Sequence, residues 1–283
     1  MGAGRPAGHF PQNGETVLNT LAVKRVLGRV GKFTRGRETR RVVLLYHAVG
    51  SGPDACPTEQ FAKQISWLDA NAEVLPLEEL LAGRGKAKLQ VAITFDDGYA
   101  SVAHEAAPIM DRYGITGTVY LTAACIGEAE STRRHSDPAQ GHLSGEKFML
   151  WSEARALQDA YWEIGSHGLD HVDMTGQDDE KLSHQIDSAR MLIENRLGAT
   201  CRAFAYPWGR NNARSQAAVA QAGHDHAAGT IHGPVRPGAD MLSFRRIDIR
   251  REYEVEDLRR VVHGDWDYLG YLQLWRMRRS TRD

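Results

Sequence analysis

The stretch VAITFDDG, residues 91–98, carries the most information about the fold. Residues 91–95 are a short run of apolar and β-branched side chains, which is typical of a parallel strand covered on both faces. Asp96 and Asp97 follow directly, and two carboxylates at a buried strand end are costly without a compensating cation. Gly98 then allows a sharp turn. The pattern predicts a metal site or, because Asp-Asp-Gly turns are common, a solvated turn that caps a helix.

Six further runs of the same kind predict strands, and helical periodicity appears between them. The predicted strands are residues 42–46, 91–95, 117–121, 162–165, 202–206, 225–230 and 244–249, and the predicted helices are residues 58–71, 101–113, 179–197 and 212–222. Seven alternations without a G-x-G-x-x-G or Walker A sequence favour an α/β barrel over an open nucleotide-binding sheet. Residues 127–145 are polar and rich in Gly and Ser, which predicts a long surface loop of a kind that is often functional.

The segment SHGLDH, residues 166–171, follows the predicted strand 162–165. It therefore lies at the carboxyl ends of the strands, where barrel enzymes place their active sites. His167 and His171 are four residues apart and converge on one point if the segment makes a helical turn. With one carboxylate they form a set with open coordination positions, suited to zinc or another divalent metal. Histidines at this spacing also occur without a metal, and the strand-end aspartates favour the metal interpretation.

The segment AYPWG, residues 205–209, follows another predicted strand. Pro207 and Gly209 predict a rigid loop. Tyr206 and Trp208 offer an aromatic wall on which a sugar could stack, or they are the two core aromatics of a β-turn.

The charge composition gives no support for nucleic acid as a partner, because 35 Lys and Arg against 36 Asp and Glu leave a net charge of -1. Residues 1–41 nevertheless hold nine basic and two acidic side chains, a net charge of +7. Within this arm, residues 22–33 predict a basic amphipathic helix that lies on an anionic membrane surface or lays its apolar face on the body of the domain. The chain lacks an apolar stretch of membrane-spanning length and an apolar signal core, so we expect a cytoplasmic protein, with peripheral membrane contact as an alternative.

Together these segments resemble the polysaccharide deacetylases, the NodB homology domains of carbohydrate esterase family four. TFDDG at residues 94–98 is similar to that family's motif of the same letters, SHGLDH to its [ST]-H-x-x-x-H motif and YPWG to its Pro-x-Gly substrate loop. LYHAV at residues 45–49 resembles the YHxV start of a subgroup associated with exopolysaccharide synthesis. The resemblance implies a distorted (β/α)7 barrel as a single domain at residues 41–250, between a basic arm at 1–40 and a C-terminal helical extension at 251–283.

The resemblance also implies a role for each matching residue. The implied metal ligands are Asp97, His167 and His171. The metal is expected to be zinc, with cobalt or nickel as alternatives. Asp96 is implied as the general base for a metal-activated water. The backbone N–H of Tyr206 is implied to hold the oxyanion together with the metal, and Pro207 and Trp208 to shape the substrate loop.

Two features of the family are missing. Position 205 holds Ala where many members have an Arg that pairs with the catalytic Asp, and Arg246 in the predicted seventh strand is our candidate substitute. The late L-x-H motif that supplies a general-acid histidine is not recognisable. We expect His47, at the end of the first strand, to serve in its place, with His232 as the second choice.

The function implied is therefore a metal-dependent hydrolase that removes an N-acetyl group from an amino sugar such as N-acetylglucosamine. The sugar is part of a polysaccharide, an oligosaccharide or a lipid-linked or small glycoside precursor. An O-acetyl esterase or small-molecule amide hydrolase is an alternative, because the fold does not fix the acyl acceptor. A catalytically inactive carbohydrate-binding module is a third hypothesis, and the intact set of Asp and His residues argues against it.

Overall fold

The computed structural model describes residues 21–25 and 39–280. Its strands form one sheet in which every strand pairing is parallel. The strands are β1 (Arg40–Tyr46), β2 (Glu73–Val74), β3 (Leu89–Phe95), β4 (Thr118–Leu121), β5 (Glu163–Ser166), β6 (Ala203–Ala205), β7 (His226–Ala228) and β8 (Ile247–Asp248). The seven predicted runs all contain strands, and β2 is an additional short strand beside β3 that the sequence pattern did not predict.

The sheet curls until its two edges are joined. The strand order is β7-β6-β5-β4-β3-β1-β8. Approaching β8, the chain first bridges β7, where Phe244 pairs with Ala228, and then β1, where Ile247 pairs with Leu44. This confirms the predicted distorted (β/α)7 barrel. The carboxyl ends of the strands therefore meet at one end of the barrel.

The helices lie between the strands, with a further pair at the C-terminal end. They are α1 (Thr58–Asn71), α2 (Leu77–Leu81), α3 (Ala107–Asp111), α4 (Trp151–Asp159), α5 (Asp179–Leu197), α6 (Ala213–Gln221), α7 (Val255–His263) and α8 (Tyr268–Ser280). α1 and α5 have the predicted bounds. The predicted helix 101–113 begins as a π-helix over Val102–Ala106 and continues into α3. The predicted loop 127–145 carries only short 3-10 turns.

The central strand β3 is buried along its whole length, which explains its continuous apolar pattern. Its last residue, Phe95, packs against Tyr46 and Phe61 with ring centroids 5.7 and 6.0 Å apart. Close packing of this kind leaves little room for movement. The end of β3, where Asp96 and Asp97 begin, is therefore held on a rigid scaffold.

The described part of the predicted extension 251–283 carries the helices α7 and α8, and α7 belongs to the core. Leu258, Val261 and Val262 of α7 are fully buried in the main apolar cluster. Asp257 on the same helix is also buried, and both of its carboxylate oxygens accept hydrogen bonds from Arg25. The two ends of the described chain therefore pack on the same part of the barrel.

Only the first turn of the predicted amphipathic helix 22–33 is described, since residues 26–33 lie outside the described residues. Residues 21–25 are helical. Lys24 donates to the Tyr253 hydroxyl at 2.9 Å and is buried, whereas Val23 is 55% exposed. In this turn the basic residues Lys24 and Arg25 contact the barrel domain, whereas Val23 of the predicted apolar face does not. The reason is that the buried Asp257 carboxylate requires a cation. Within the described residues, no helix is long and apolar enough to cross a membrane.

Candidate metal centre and active site

Asp96 and Asp97 follow β3 and face different partners. The N–H of Asp96 still donates to Tyr46 O at 3.0 Å, as a continuation of the sheet. Asp97 has a φ of 71° and Gly98 a φ of 81°, so the chain turns through the left-handed region at once. A Cβ on Gly98 would lie 2.8 Å from Leu121 Cδ2, which explains the need for glycine. The turn separates the two carboxylates.

Arg246 compensates the charge of Asp96. Its Nη1 and Nη2 each donate to one carboxylate oxygen of Asp96 at 2.7 Å, and its Nε donates to Gly229 O at 3.0 Å. Both side chains of the ion pair are buried. Burial alone would raise the pKa of Asp96, but the charge of Arg246, followed by that of His167, lowers the pKa to about 2. The pairing predicted for Arg246 is present in the structure.

Asp97 lies beside two histidines. Its Oδ1 is 3.5 Å from Nε2 of His167 and 3.4 Å from Nε2 of His171. The three side chains are buried, and the ligand atoms they offer lie within 4.8 Å of one another. Burial raises the pKa of Asp97, but the histidines, His171 first, lower it below its usual range. The site therefore favours the ionised carboxylate, which is the form that binds a metal.

Backbone carbonyls orient both imidazole rings. His167 Nδ1 lies 2.7 Å from Ala205 O, and His171 Nδ1 lies 3.1 Å from Gln140 O. Because a carbonyl oxygen only accepts, the hydrogen is assigned to Nδ1 in each ring, and each Nε2 presents a lone pair near Asp97. Metal-binding histidines are commonly oriented in this way.

The donor set fits a divalent metal. Ligand atoms about 2.0–2.2 Å from a tetrahedral zinc are about 3.3–3.6 Å apart. The separations of 3.4 and 3.5 Å around Asp97 Oδ1 are close to this value. Asp97 Oδ1 is also buried without a hydrogen-bond partner in the described residues. A buried oxygen of this kind is unfavourable on its own, and a cation bound by Asp97, His167 and His171 would satisfy it.

His47 lies at the same end of the barrel as the two carboxylates. It follows β1 directly and is half-buried. It is close enough that its charge lowers the pKa of both Asp96 and Asp97. The structure therefore brings His47 to the candidate site.

His232, the second choice for the general acid, lies elsewhere. Its backbone N–H donates to Gln273 Oε1 of α8 at 2.7 Å. Three residues later, the N–H of Val235 donates to Arg41 O, near the start of β1. The prediction for His232 is wrong, because after β7 the chain runs back toward the amino ends of the strands.

Tyr206 is placed differently from the prediction. Its backbone N–H donates to Ala228 O at 3.1 Å and so continues the pairing of β6 with β7. Its hydroxyl donates to Leu242 O at 3.0 Å. The prediction that this N–H holds an oxyanion is contradicted, because the sheet already uses the donor. Pro207 begins the 3-10 turn Pro207–Gly209, which carries Trp208.

Trp208 forms an exposed aromatic wall beside the candidate metal centre. Its side chain is 41% exposed, and its ring centroid lies 4.4 Å from that of His171. Trp208, Asp97 and His171 are three of the four non-glycine residues with a positive φ in the described part of the chain. Such backbone conformations cost about 1–3 kcal/mol each and are concentrated at functional sites.

The loop 127–145 contributes residues that the sequence did not reveal. Gln140 O orients His171, and a Cβ on Gly141 would lie 2.7 Å from Cζ2 of Trp208. The ring centroid of His142 is 4.8 Å from that of His171. His142 is buried, and neither of its ring nitrogens has a hydrogen-bond partner in the described residues. The loop is thus one wall of the site, and its length and polarity were the only signal of this in the sequence.

The family described as Polysaccharide deacetylase matches residues 83–227, just over half of the chain. The match includes both strand-end aspartates and both histidines of the candidate metal centre. The chain belongs to the polysaccharide deacetylase family. Arg246 and His47 lie outside the matched residues of this polysaccharide deacetylase, so their roles depend on the geometry described above.

The relatives of this polysaccharide deacetylase are distant in sequence. The poly-beta-1,6-N-acetyl-D-glucosamine N-deacetylase of Staphylococcus epidermidis is 27% identical over 201 residues, which cover 67% of this chain and 66% of that protein. The solved structure of Streptococcus pyogenes deacetylase PplD in complex with acetate has a TM-score of 0.67 at 18% identity, over 80% of this chain and 99% of the other. The solved structure of IcaB from Ammonifex degensii has a TM-score of 0.67 at 22% identity, over 80% of this chain and 98% of the other. These structural similarities show a shared fold.

Proposed function

We propose that this polysaccharide deacetylase removes N-acetyl groups from N-acetylglucosamine units of a polymer, with a divalent metal held by Asp97, His167 and His171. The observation that carries the proposal is the buried, unpartnered Asp97 Oδ1, which faces two imidazole Nε2 atoms beside the Asp96–Arg246 pair. The name of the Staphylococcus epidermidis relative supports an amide bond and this sugar.

The ligand residues are held before any metal arrives. A divalent metal bound there would act as a Lewis acid toward the acetamide oxygen and lower the pKa of a coordinated water. Asp97 contributes the negative charge of the ligand set. The Ala205 and Gln140 carbonyls keep the two imidazole rings turned toward it. Little reorganisation is then needed when the metal and the substrate bind.

Asp96 is the proposed general base. Its Oδ2 lies 3.9 Å from Nε2 of His167, so the carboxylate is next to the ligand set. The two-pronged contact with Arg246 fixes its orientation and keeps it ionised at neutral pH. A carboxylate of low pKa holds a proton only briefly. The ionised Asp96 is thus available to take the proton of the attacking water, while the leaving amine receives its proton from His47.

Two further histidines complete the proposed machinery. His47 protonates the leaving amine, a role supported by its electrostatic effect on both carboxyls. His142 hydrogen-bonds the acetyl group of the substrate, because its buried ring lies against His171 with unpartnered nitrogens. A hydrogen bond between a His142 ring nitrogen and the substrate would contribute to substrate recognition.

Trp208 is the proposed sugar platform. Its ring is partly exposed next to His171 and lies close to the loop residue Gly141. A partly exposed aromatic ring suits the apolar face of a pyranose ring. Its exposure at the rim supports a chain of sugars that passes across the site.

The test is acetate release from N-acetylglucosamine oligomers by protein loaded separately with zinc, cobalt or nickel. The metal-loaded wild type releases acetate and an equal amount of free amine. Asp96→Asn lowers the rate by about 10²–10⁴-fold, the usual contribution of a general base, while its metal content is unchanged. The matched control is Glu163→Gln, which removes a carboxylate at the amino end of β5 and leaves the rate unchanged.

Two outcomes contradict the proposal. Release of acetate from O-acetylated sugars alone identifies an esterase. A protein that binds metal but releases no acetate from any acetylated carbohydrate is not a deacetylase of this class.

A further inference from the structure

The C-terminal helix α8 is docked on the barrel along one side. Gly270 lies so close to the chain at residue 232 that an added Cβ would clash with the carbonyl oxygen of His232. Gln273, three residues further on, accepts a hydrogen bond from the N–H of His232 at 2.7 Å. Leu269 packs against the main apolar cluster. These contacts hold the first half of α8 against the barrel, and residues 275–279 in its second half are exposed.

The exposed surface of α8 carries large apolar groups, among them Tyr271, whose hydroxyl accepts a hydrogen bond from Arg236 at 3.2 Å. Tyr271 is 57%, Leu272 46% and Trp275 51% exposed. These residues are one, three or four positions apart, so they form one patch on the helix surface. Exposed apolar groups that occur singly are ordinary, whereas a group of them on one helix face marks a contact surface.

Arginines are part of the same surface. The Arg279 guanidinium stacks on the Trp275 ring at 3.8 Å from its centroid, and Arg276 is exposed beside them. The helix α8 itself, Tyr268–Ser280, contains three arginines and no acidic residue. The outer face of α8, defined here by Tyr271, Leu272, Trp275, Arg276 and Arg279, is therefore aromatic and cationic together.

The charge of this face selects its partner. The N-terminal arm, with its net charge of +7, has the same sign, so charge does not favour it as the partner. An anionic surface is attracted. Among anionic surfaces, a lipid bilayer also accepts the aromatic groups, because Trp and Tyr side chains favour the headgroup region and Arg binds lipid phosphate.

We propose that the outer face of α8 binds an anionic membrane surface and holds the enzyme there as a peripheral protein. Tyr271, Leu272 and Trp275 enter the headgroup region, and Arg276 and Arg279 contact lipid phosphates. The proposal is independent of the reaction proposed above, because α8 contains none of the site residues. It also differs from the prediction for residues 22–33, whose described turn directs its basic side chains into the protein.

Vesicle binding by the full chain tests the proposal. Sedimentation is measured with vesicles of phosphatidylcholine alone and of phosphatidylcholine mixed with phosphatidylglycerol, at low and high salt. Wild type binds the mixed vesicles at least about 10-fold more tightly, and salt weakens the binding. The triple variant Tyr271→Ala, Leu272→Ala, Trp275→Ala loses about 10-fold or more in affinity. The double variant Arg276→Gln, Arg279→Gln loses affinity mainly at low salt.

Matched controls come from the rest of the surface. Tyr161→Ala removes an aromatic side chain that is 89% exposed far from α8 in sequence, and Arg112→Gln removes an exposed arginine. Both controls bind vesicles as wild type does. Equal thermal unfolding of all variants shows that each has folded.

Three results overturn the proposal. The first is that the α8 variants bind as tightly as wild type while Leu27→Ser in the arm abolishes binding, which places the contact in the arm. The second is that wild type forms a dimer that the triple variant disrupts and binds no vesicles, which makes a second copy the partner. The third is equal binding to vesicles with and without phosphatidylglycerol.

Discussion

The barrel holds two groups of histidines and carboxylates, one at each end of its strands, and only one of them has the geometry of a metal site. Asp97, His167 and His171 lie at the carboxyl ends. At the amino ends, His226 begins β7 and its Nε2 lies 3.4 Å from Oε1 of Glu163, which begins β5. His224 lies two residues before His226, and both are buried.

The difference lies in convergence and orientation. At the carboxyl ends, each Nδ1 is engaged by a carbonyl, and both Nε2 atoms face one oxygen of Asp97. At the amino ends, His224 packs on Phe204 and His226 on Phe244, and burial lowers the pKa of His224 to about 3. His224 is therefore a neutral packing residue. Clustered histidines alone do not form a metal site. Their ring nitrogens must also face one common point, and a hydrogen bond must fix the tautomer of each ring.

The largest expected difference between the two ends concerns ion pairs. Arg246→Met leaves the buried Asp96 unpaired and costs about 3–5 kcal/mol of unfolding free energy. The control Arg202→Met breaks the exposed contact with Asp225 at the amino ends and costs about 0–1 kcal/mol. Urea unfolding at neutral pH measures both variants. Equal costs would show that the Asp96–Arg246 pair is not the buried element described here.

The same variant has a defined pH dependence. The pKa of Asp96 is about 2 in the folded protein, below its ordinary value of 3.8. The ionised, paired Asp96 therefore stabilises the fold above the ordinary value, and this contribution is lost as the pH falls toward 2. Without Arg246, burial makes the ionised form unfavourable instead. The difference in unfolding free energy between wild type and Arg246→Met should thus become smaller as the pH falls from neutral toward 3. A difference that stays constant would show that Arg246 does not stabilise the ionised Asp96.

A smaller effect is expected at His142. His142→Phe keeps a ring against His171 but removes both nitrogens, and it lowers kcat/KM for deacetylation by about 10- to 100-fold, as for one lost hydrogen bond in a buried site. His142→Gln recovers part of the loss, and metal content is unchanged in both variants. His224→Phe at the amino ends has no effect on kcat/KM. Identical losses in His142→Phe and His142→Gln would reduce His142 to a packing residue.

The smallest effect is expected at Trp208. Trp208→Ala removes the sugar platform and raises KM by about 3- to 10-fold with kcat nearly unchanged, the size of one stacking contact. Tyr113→Ala, at a similarly exposed aromatic beyond α3, leaves KM unchanged. A fall in kcat with KM unchanged would place Trp208 in the chemistry instead.

The features that the sequence predicted correctly are the regular elements of the fold. α1 and α5 have periodic apolar faces, and the aspartates and histidines follow apolar strands, so local pattern sufficed. Arg246 was a candidate because the family resemblance implied an arginine partner for Asp96 and position 205 holds Ala instead.

The remaining site features depend on the tertiary fold. Whether the Tyr206 N–H is free depends on the register between β6 and β7, which the sequence does not encode locally. His142 and Gln140 reach the site because an irregular loop folds back, and such a loop has no periodicity to follow. His232 follows the predicted strand 225–230, which suggested a position at the carboxyl ends of the strands. The chain turns back toward the amino ends after β7, so His232 lies away from the site. The described turn of the arm, residues 21–25, is oriented by the Asp257 carboxylate, which is distant in sequence.

The most direct test of the difference between the two ends is the metal content of three proteins after equilibrium dialysis against zinc. We expect one metal per chain for wild type, one for the double variant His224→Gln, His226→Gln, and none for His171→Gln, with all three proteins folded. One metal per chain in His171→Gln, or loss of the metal in the His224/His226 variant, would show that Asp97, His167 and His171 do not form the metal site.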